Sequence, residues 1–437
     1  MNAVPELAIR WEWEAAPSVK APEHRATWAR IEIVVDSDHV TLVEDQESGS
    51  SRRSIYCPLY PLAEWAAYNW WLLRADARPA RSVDMRGPEH YDSRQFRRHS
   101  LRGIGDGFLW PNLVIIPEGE HKRLIWQRDR FPTPGKPIRF LADGEAFLDR
   151  ESVERELISV ISAVLTRLAE QGVTDTSLEK EWAGVQSADP DEIEFCLAAA
   201  RLGLDPYSEA EPYQHLIMRA AAELRGNLLG DFLDAVEPAR MGQALDWIGG
   251  ARSEIGRAPE AEAEAARVLR EEIRRSQAAP GNWSWEKGWN QAREVRRILG
   301  LADQEVFDLS SYMNSVDRPT ADRGLQAIGG SPGDSGPLAV IEPGRPASSR
   351  RFTLSRALWH YLWESEPLFL VTTAYTERQK VERAFAAELL APAHGIGELL
   401  SVPPEIAIQD DLDGIAAHFQ VSPMVIKHQL DNQLLVS

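Results

Sequence analysis

Arg356, His360 and Glu364 stand four residues apart in the stretch RFTLSRALWHYLWES, which places a cation, an imidazole and a carboxylate on one face if the stretch is helical. Two chemistries suit such a face. An imidazole and a carboxylate one turn apart can hold a metal when a further ligand converges on them, and Glu366, Glu382 or His394 is a candidate for that ligand. The other is a closed network in which the guanidinium pairs with carboxylates. A guanidinium carries only donors and repels a metal cation, so Arg356 favours the network.

Other chemistry-bearing stretches are weaker. Ser335, in GDSGPLAV at 333–340, has the setting of a nucleophilic serine, but no upstream histidine in an apolar context is there to activate it, and the segment reads as a loop. GIGDG at 103–107 precedes a strand and not a helix, so it reads as a turn rather than a phosphate cradle. From Arg74 to Arg102 there are eight arginines against four acids, a local excess of +4. Arg94, Arg97, Arg98 and Arg102 are its candidate anion contacts, with Phe96 as a stacking face, although such runs are usually solvated or internally paired. Trp285 and Trp289, four apart, read as packing residues.

The elements that position these residues follow from periodicity. Residues 1–150 read as an α/β domain. A hairpin is expected over ARIEIVVDSDHVTLVED, a helix over PLAEWAAYNWWLLR, a second hairpin over NLVIIPEGEHKRLIWQRD and a further strand in KPIRFLADGEAFL, together one small antiparallel sheet with a covering helix. Residues 151–315 read as helical. Val153, Leu157, Ile161, Val164, Leu165 and Leu168 mark one apolar face, and APEAEAEAARVLREEIRRSQAA predicts an exposed, solvated helix. Gly, Pro, Ser and Arg dominate the next stretch, so 316–335 reads as a linker and 336–437 as a last domain.

Composition bounds the function. The chain has 437 residues, and 48 basic against 67 acidic residues give a net charge of −19, which opposes non-specific nucleic-acid binding. Cys57 and Cys196 are the only cysteines, too few for a disulfide framework, and both are expected to be buried. The first residues lack a signal peptide's apolar run, and no long apolar stretch occurs, so a cytoplasmic protein without membrane association is expected.

The C-terminal pattern also carries a resemblance. The strand PLAVIEP, the helix RRFTLSRALWHYL and the later ERQKVERAFAAELLAP resemble the ImmA/IrrE family of zinc metallopeptidases, and FAAELLAP at 385–392 agrees with the family's ending in seven of its eight positions. The closing LDGIAAHFQVSPMVIKHQLDNQLLV is similar to the helix-turn-helix-like module that ends members of that family, with Ser422 as N-cap and Pro423 as first helical residue. Lys427 and His428 are the only basic candidates on its second helix, with Asp431 opposing them, so packing is expected there rather than DNA reading.

The resemblance implies a zincin-like domain whose chemistry is degenerate. Arg356 stands at the first ligand position, Ala357 at the catalytic carboxylate and Trp359 at a packing glycine; only His360 is kept, and Gln379 or Val381 stands where the third ligand belongs. The fold expected is α+β and mainly helical: an N-terminal α/β domain, a helical middle and a C-terminal zincin-like domain with its closing module. The function expected is non-catalytic, a regulatory, sensing or partner-binding component of a stress, mobile-element or defence locus. A groove of Arg356, Trp359, His360, Trp363, Glu364 and Gln379 would hold a protein partner such as a helix-turn-helix regulator or a defence component. No cofactor is expected. One alternative is a zinc metallo-endopeptidase with substituted ligands, His360 and Glu364, that cleaves a repressor-type protein. Another is a nucleic-acid-associated factor working through Arg74 to Arg102.

Overall fold

A computed structural model of the chain describes residues 6–80, 93–131, 137–257, 264–276, 279, 281, 283–320, 322–331 and 336–435. It is a mixed α+β structure, mainly helical, with several small sheets. The chain divides into two compact units, Met1–Ile217 and Met218–Ser437. The division falls within the helix Gln214–Glu223, inside the stretch 151–315 that sequence periodicity reads as one helical region. Periodicity reports that a helix is amphipathic, not which core its apolar face joins.

In the first unit, β1 (Leu7–Trp13) turns Leu7 and Ile9 inward and pairs antiparallel with β2 (Trp28–Val35). The expected turn after β2 is present, with Asp36 at φ 54°. The strand expected after that turn is broken, however, into β3 (Asp38–His39) and β4 (Val43–Asp45), and β4 joins a different sheet with β5 (Ser51–Arg52) and β9 (Ile138–Phe140). β6 (Ile55–Pro58) completes the first sheet beside β2. The second expected hairpin is formed by β7 (Asn112–Glu118) and β8 (His121–Gln127), closed at Gly119 with φ 62°, and β10 (Gly144–Asp149) extends it. Three small antiparallel sheets therefore replace the single expected one, since alternation identifies a strand but not its neighbour.

Helices α1 (Tyr60–Tyr68), α2 (Trp70–Ala75) and α3 (Ser93–His99) lie between β6 and β7 in the chain. The long helix α4 (Arg150–Glu170), whose N-terminus is capped by Asp149, buries Val153, Leu157, Ile161, Val164 and Leu168 in the core of this unit, with Leu165 packed at its margin. Cys57 and Cys196 are both buried there.

The second unit is built on a four-stranded sheet in the order β11 (Asn314–Asp317), β13 (Leu338–Ile341), β12 (Leu325–Gly330), β14 (Leu368–Thr372). β12 is the correction to the linker expected at 316–335. It is a buried inner strand, and its glycines serve packing: a Cβ on Gly329 would lie 2.3 Å from the ring of Phe369, its cross-strand partner. What composition presents as flexibility is room for an aromatic ring.

Five helices cover this sheet or pack behind it: α5 (Asn227–Ala235), α6 (Met241–Arg257), α7 (Glu264–Arg275), α8 (Ser284–Leu299) and α9 (Ala347–Trp363). α7 is not the fully solvated helix expected, because Ala266, Leu269 and Ile273 are buried in the core of the unit. Next, α10 (Glu377–Leu390) crosses α8 so closely that a Cβ on Gly288 would meet the Val381 carbonyl at 2.4 Å. The closing helices α11 (Gln409–Phe419) and α12 (Pro423–Gln429) are separated by Gln420 at φ 57°, and Phe419, Val421 and Ile426 enter the same core as Phe385 and Leu389. Ser422 holds the extended N-cap conformation but makes no side-chain capping bond, so the expected cap is positional only. Among the described residues no helix is long and apolar enough to cross a membrane.

Candidate functional site

The face that bears Arg356, His360 and Glu364 is the interior face of α9, where every residue from Thr353 to Leu362 is buried. A helix enclosed on nearly all sides must satisfy each polar group internally or lose stability. Arg356 does so at each of its three nitrogens. Its Nε donates to Glu382 Oε1 at 3.0 Å, its Nη2 to the same carboxylate and to the Thr372 carbonyl at 2.6 Å, and its Nη1 to Gln326 Oε1 at 2.5 Å. Gln326 is supplied by the irregularity between Leu325 and Ala327 in the β12–β14 ladder, as bulges commonly re-aim a side chain.

His360 continues the network. Its Nε2 donates to Glu382 Oε2 and its Nδ1 to Glu364 Oε2 at 3.0 Å, while the ring stacks on Phe369 with centroids 4.9 Å apart. Burial lowers its proton affinity, but the two carboxylates prevail and hold the imidazole pKa above its ordinary value. From the start of α10, Arg378 donates through Nε to Glu364 Oε1 at 2.7 Å and through Nη1 to Asp231 on α5, and Gln379 Nε2 donates to Asp231 Oδ1 at 2.5 Å. Two guanidiniums and an imidazole thus face three acidic side chains across α5, α9 and α10. Glu366 lies 3.7 Å from Arg378 at the margin.

The structure brings together Arg356, His360, Glu364, Gln379 and Glu382, and leaves His394 elsewhere. His394 is 73% exposed and pairs with Asp303 and Glu398. Of the six residues expected to line a partner groove, four are enclosed. Arg356, Trp359, His360 and Gln379 are buried, and Trp359 Nε1 donates to Gln291 Oε1 at 2.8 Å. Trp363 and Glu364 are half-buried. Arg378, Asp231, Gln326 and the Thr372 carbonyl complete the network without any signal in the sequence that would have placed them there.

The zinc of the metallopeptidase alternative does not fit these residues. Glu382 is held by Arg356 and His360, both imidazole nitrogens face carboxylates, and the guanidinium of Arg356 lies among the would-be ligands. Ala357 carries no group that could take a proton from water. Among the described residues, no group of three or more His, Cys, Asp and Glu side chains is placed to hold a metal ion.

The arginine-rich stretch is also drawn inward. Arg98, 13% exposed, donates to Glu209 Oε2 at 2.7 Å and to the Gly203 carbonyl at 2.9 Å. Arg102 pairs with Asp129 at 2.9 Å and lies over the Phe140 ring, whereas Arg94 and Arg97 are exposed. The four therefore do not make one anion surface. Arg81, Arg86 and Ser335 lie outside the described residues. Arg98→Ala is expected to lower the stability of the first unit by about 1–3 kcal/mol, while Arg94→Ala and Arg97→Ala change it by less than about 0.5 kcal/mol. Urea unfolding of the three variants measures this, and equal small effects would contradict it.

No protein-family model matches the chain, and no match is found among curated proteins.

Proposed function

We propose that this chain is a catalytically degenerate relative of the ImmA/IrrE peptidases that acts as a regulatory or partner-binding component, with its former metal site converted into a buried ion-pair network. The observation that supports this reading is the position of Arg356. Its guanidinium holds Glu382 where a peptidase would need free ligands and a metal. The order of sheet, helix, strand, helix and closing helical module in the second unit is consistent with the zincin-like arrangement. The partner would be a helix-turn-helix regulator or another component of a stress, mobile-element or defence locus. It would have to be met outside the filled face; Ile406, Ile408 and Met424 are exposed apolar side chains in and beside the closing module.

The peptidase alternative needs His360 and Glu364 free for a metal, and both are engaged. The nucleic-acid alternative needs a continuous basic surface, and Arg98 and Arg102 are spent on internal partners. The reading is tested by unfolding the purified chain with added zinc and with a chelator. The midpoint should be the same in both, and chelator-sensitive cleavage of a co-purifying protein would overturn the proposal.

A further inference from the structure

The second unit contains a cavity of about 510 Å³ lined by Glu237, Arg240, Thr320, Asp322, Arg323 and Glu342. Its place follows from the sheet. β11 and β13 run parallel and end together, with Asp317 opposite Ile341, so Thr320 and Glu342 follow at one edge. β12 is antiparallel to β13 and begins at that same edge, which brings Asp322 and Arg323 beside them. The cavity thus opens outside the carboxyl ends of a parallel strand pair, where sheets with parallel strands commonly hold ligands.

Its groups are not equivalent. Asp322 is 1% exposed and already committed, accepting from Gly324 N at 2.6 Å and from Glu237 N at 3.1 Å, so it builds the wall. Arg240 lies 3.7 Å from Glu237. Arg323 is different: it is exposed and has no hydrogen bond or ion pair among the described residues. Glu342 is half-buried and pairs with Arg345 at 3.7 Å. Two guanidiniums among three carboxylates disfavour a multiply charged anion, and the guanidiniums disfavour a bare metal ion. What the lining matches is one molecule carrying both charges.

We infer that this cavity binds a small zwitterion of about dipeptide size, with its carboxylate on Arg323 and its ammonium on Glu342. A carboxylate on a guanidinium is a charge-assisted pair that adds geometric specificity, and the volume lies within the range of small-molecule sites. None of the lining residues belongs to the ion-pair network on α9.

Calorimetric titration of the full chain tests the assignment with L-alanyl-L-alanine, its N-acetyl form, its C-terminal amide and inorganic phosphate as probes. The free dipeptide should bind at millimolar concentration or below, and the acetylated and amidated forms, each lacking one charge, should bind about tenfold more weakly or worse. Arg323→Gln and Glu342→Gln should each weaken the dipeptide by about tenfold or more, with unfolding midpoints near that of the parent chain. Absence of dipeptide binding at millimolar concentration, wild-type affinity in either variant, or tighter binding of phosphate would overturn the inference.

Discussion

Replacing Arg356 with alanine should destabilise the C-terminal unit by about 3–5 kcal/mol, the range expected when one partner of a buried ion pair is removed. The side chains of Arg356 and Glu382 are 3% and 0% exposed, so water cannot take over the lost contacts. Glu382 would keep only His360, and the Gln326 side chain and Thr372 carbonyl would lose their donor as well. Lysine should recover only part of the loss, because an ammonium cannot reproduce the planar fork that meets Glu382 through Nε and Nη2 together. Adding Glu382→Gln to Arg356→Ala should also restore part of the stability, since the cost lies largely in an uncompensated buried charge. Urea unfolding of the three variants is the measurement. A loss below about 1 kcal/mol in Arg356→Ala would show that the pair is not a buried support.

The same network should make the unit most stable in acidic solution, at about pH 4.5–5, and weaker on both sides. On the acid side, burial pushes the Glu364 carboxyl up, but donation from His360 and Arg378 prevails and holds it at about 2. For Glu382, burial likewise opposes ionisation, and Arg356 and His360 outweigh it, so its pKa is lowered. Carboxyls lowered in the folded state contribute stability above their ordinary values and lose it as pH falls; the Glu364 shift corresponds to roughly 3 kcal/mol. On the neutral side the sign reverses. His360 is raised, so its contribution is full below its ordinary 6.5 and fades as pH rises through the folded value. Burial raises Asp231 to about 7 against the pull of Arg378, so its contribution also declines as pH rises from 3.8 toward 7. Arg378, Arg383 and Glu366 are the other charges at this cluster. Unfolding free energy measured against pH should therefore fall from about pH 5.5 to about pH 8 by several kcal/mol, and Asp231→Asn should flatten that fall. Stability that rises steadily from pH 5.5 to pH 8 would contradict the assignment.

Much of this site is legible from local pattern, and the rest is not, for reasons that particular residues make plain. The helical spacing of Arg356, His360 and Glu364 places them on one face, and their charges predict a network. Glu382 stands in the sequence as one of several candidate ligands, and only the crossing of α9 and α10 turns it toward Arg356. Asp231 lies 147 residues from Arg378, and no local periodicity links them. The polar face of α9 invites a reading as a groove because polar residues usually meet water. Here Arg356, Trp359 and His360 find protein partners instead. Gly329 and Gly330 likewise suggest a linker until Phe369 and Leu368 are seen across from them. In the N-terminal unit the strands are readable, but short strands carry too little pattern to fix their pairing.

Whether Arg356 and its carboxylates occupy the place a metal would need is read directly from the zinc content of the purified chain. Tight zinc binding requires three deprotonated protein ligands converging on one point. Well below one equivalent of zinc is expected, with no change in His360→Ala. Near-stoichiometric zinc that disappears on mutation of His360 or Glu364 would contradict this and favour the metallopeptidase alternative.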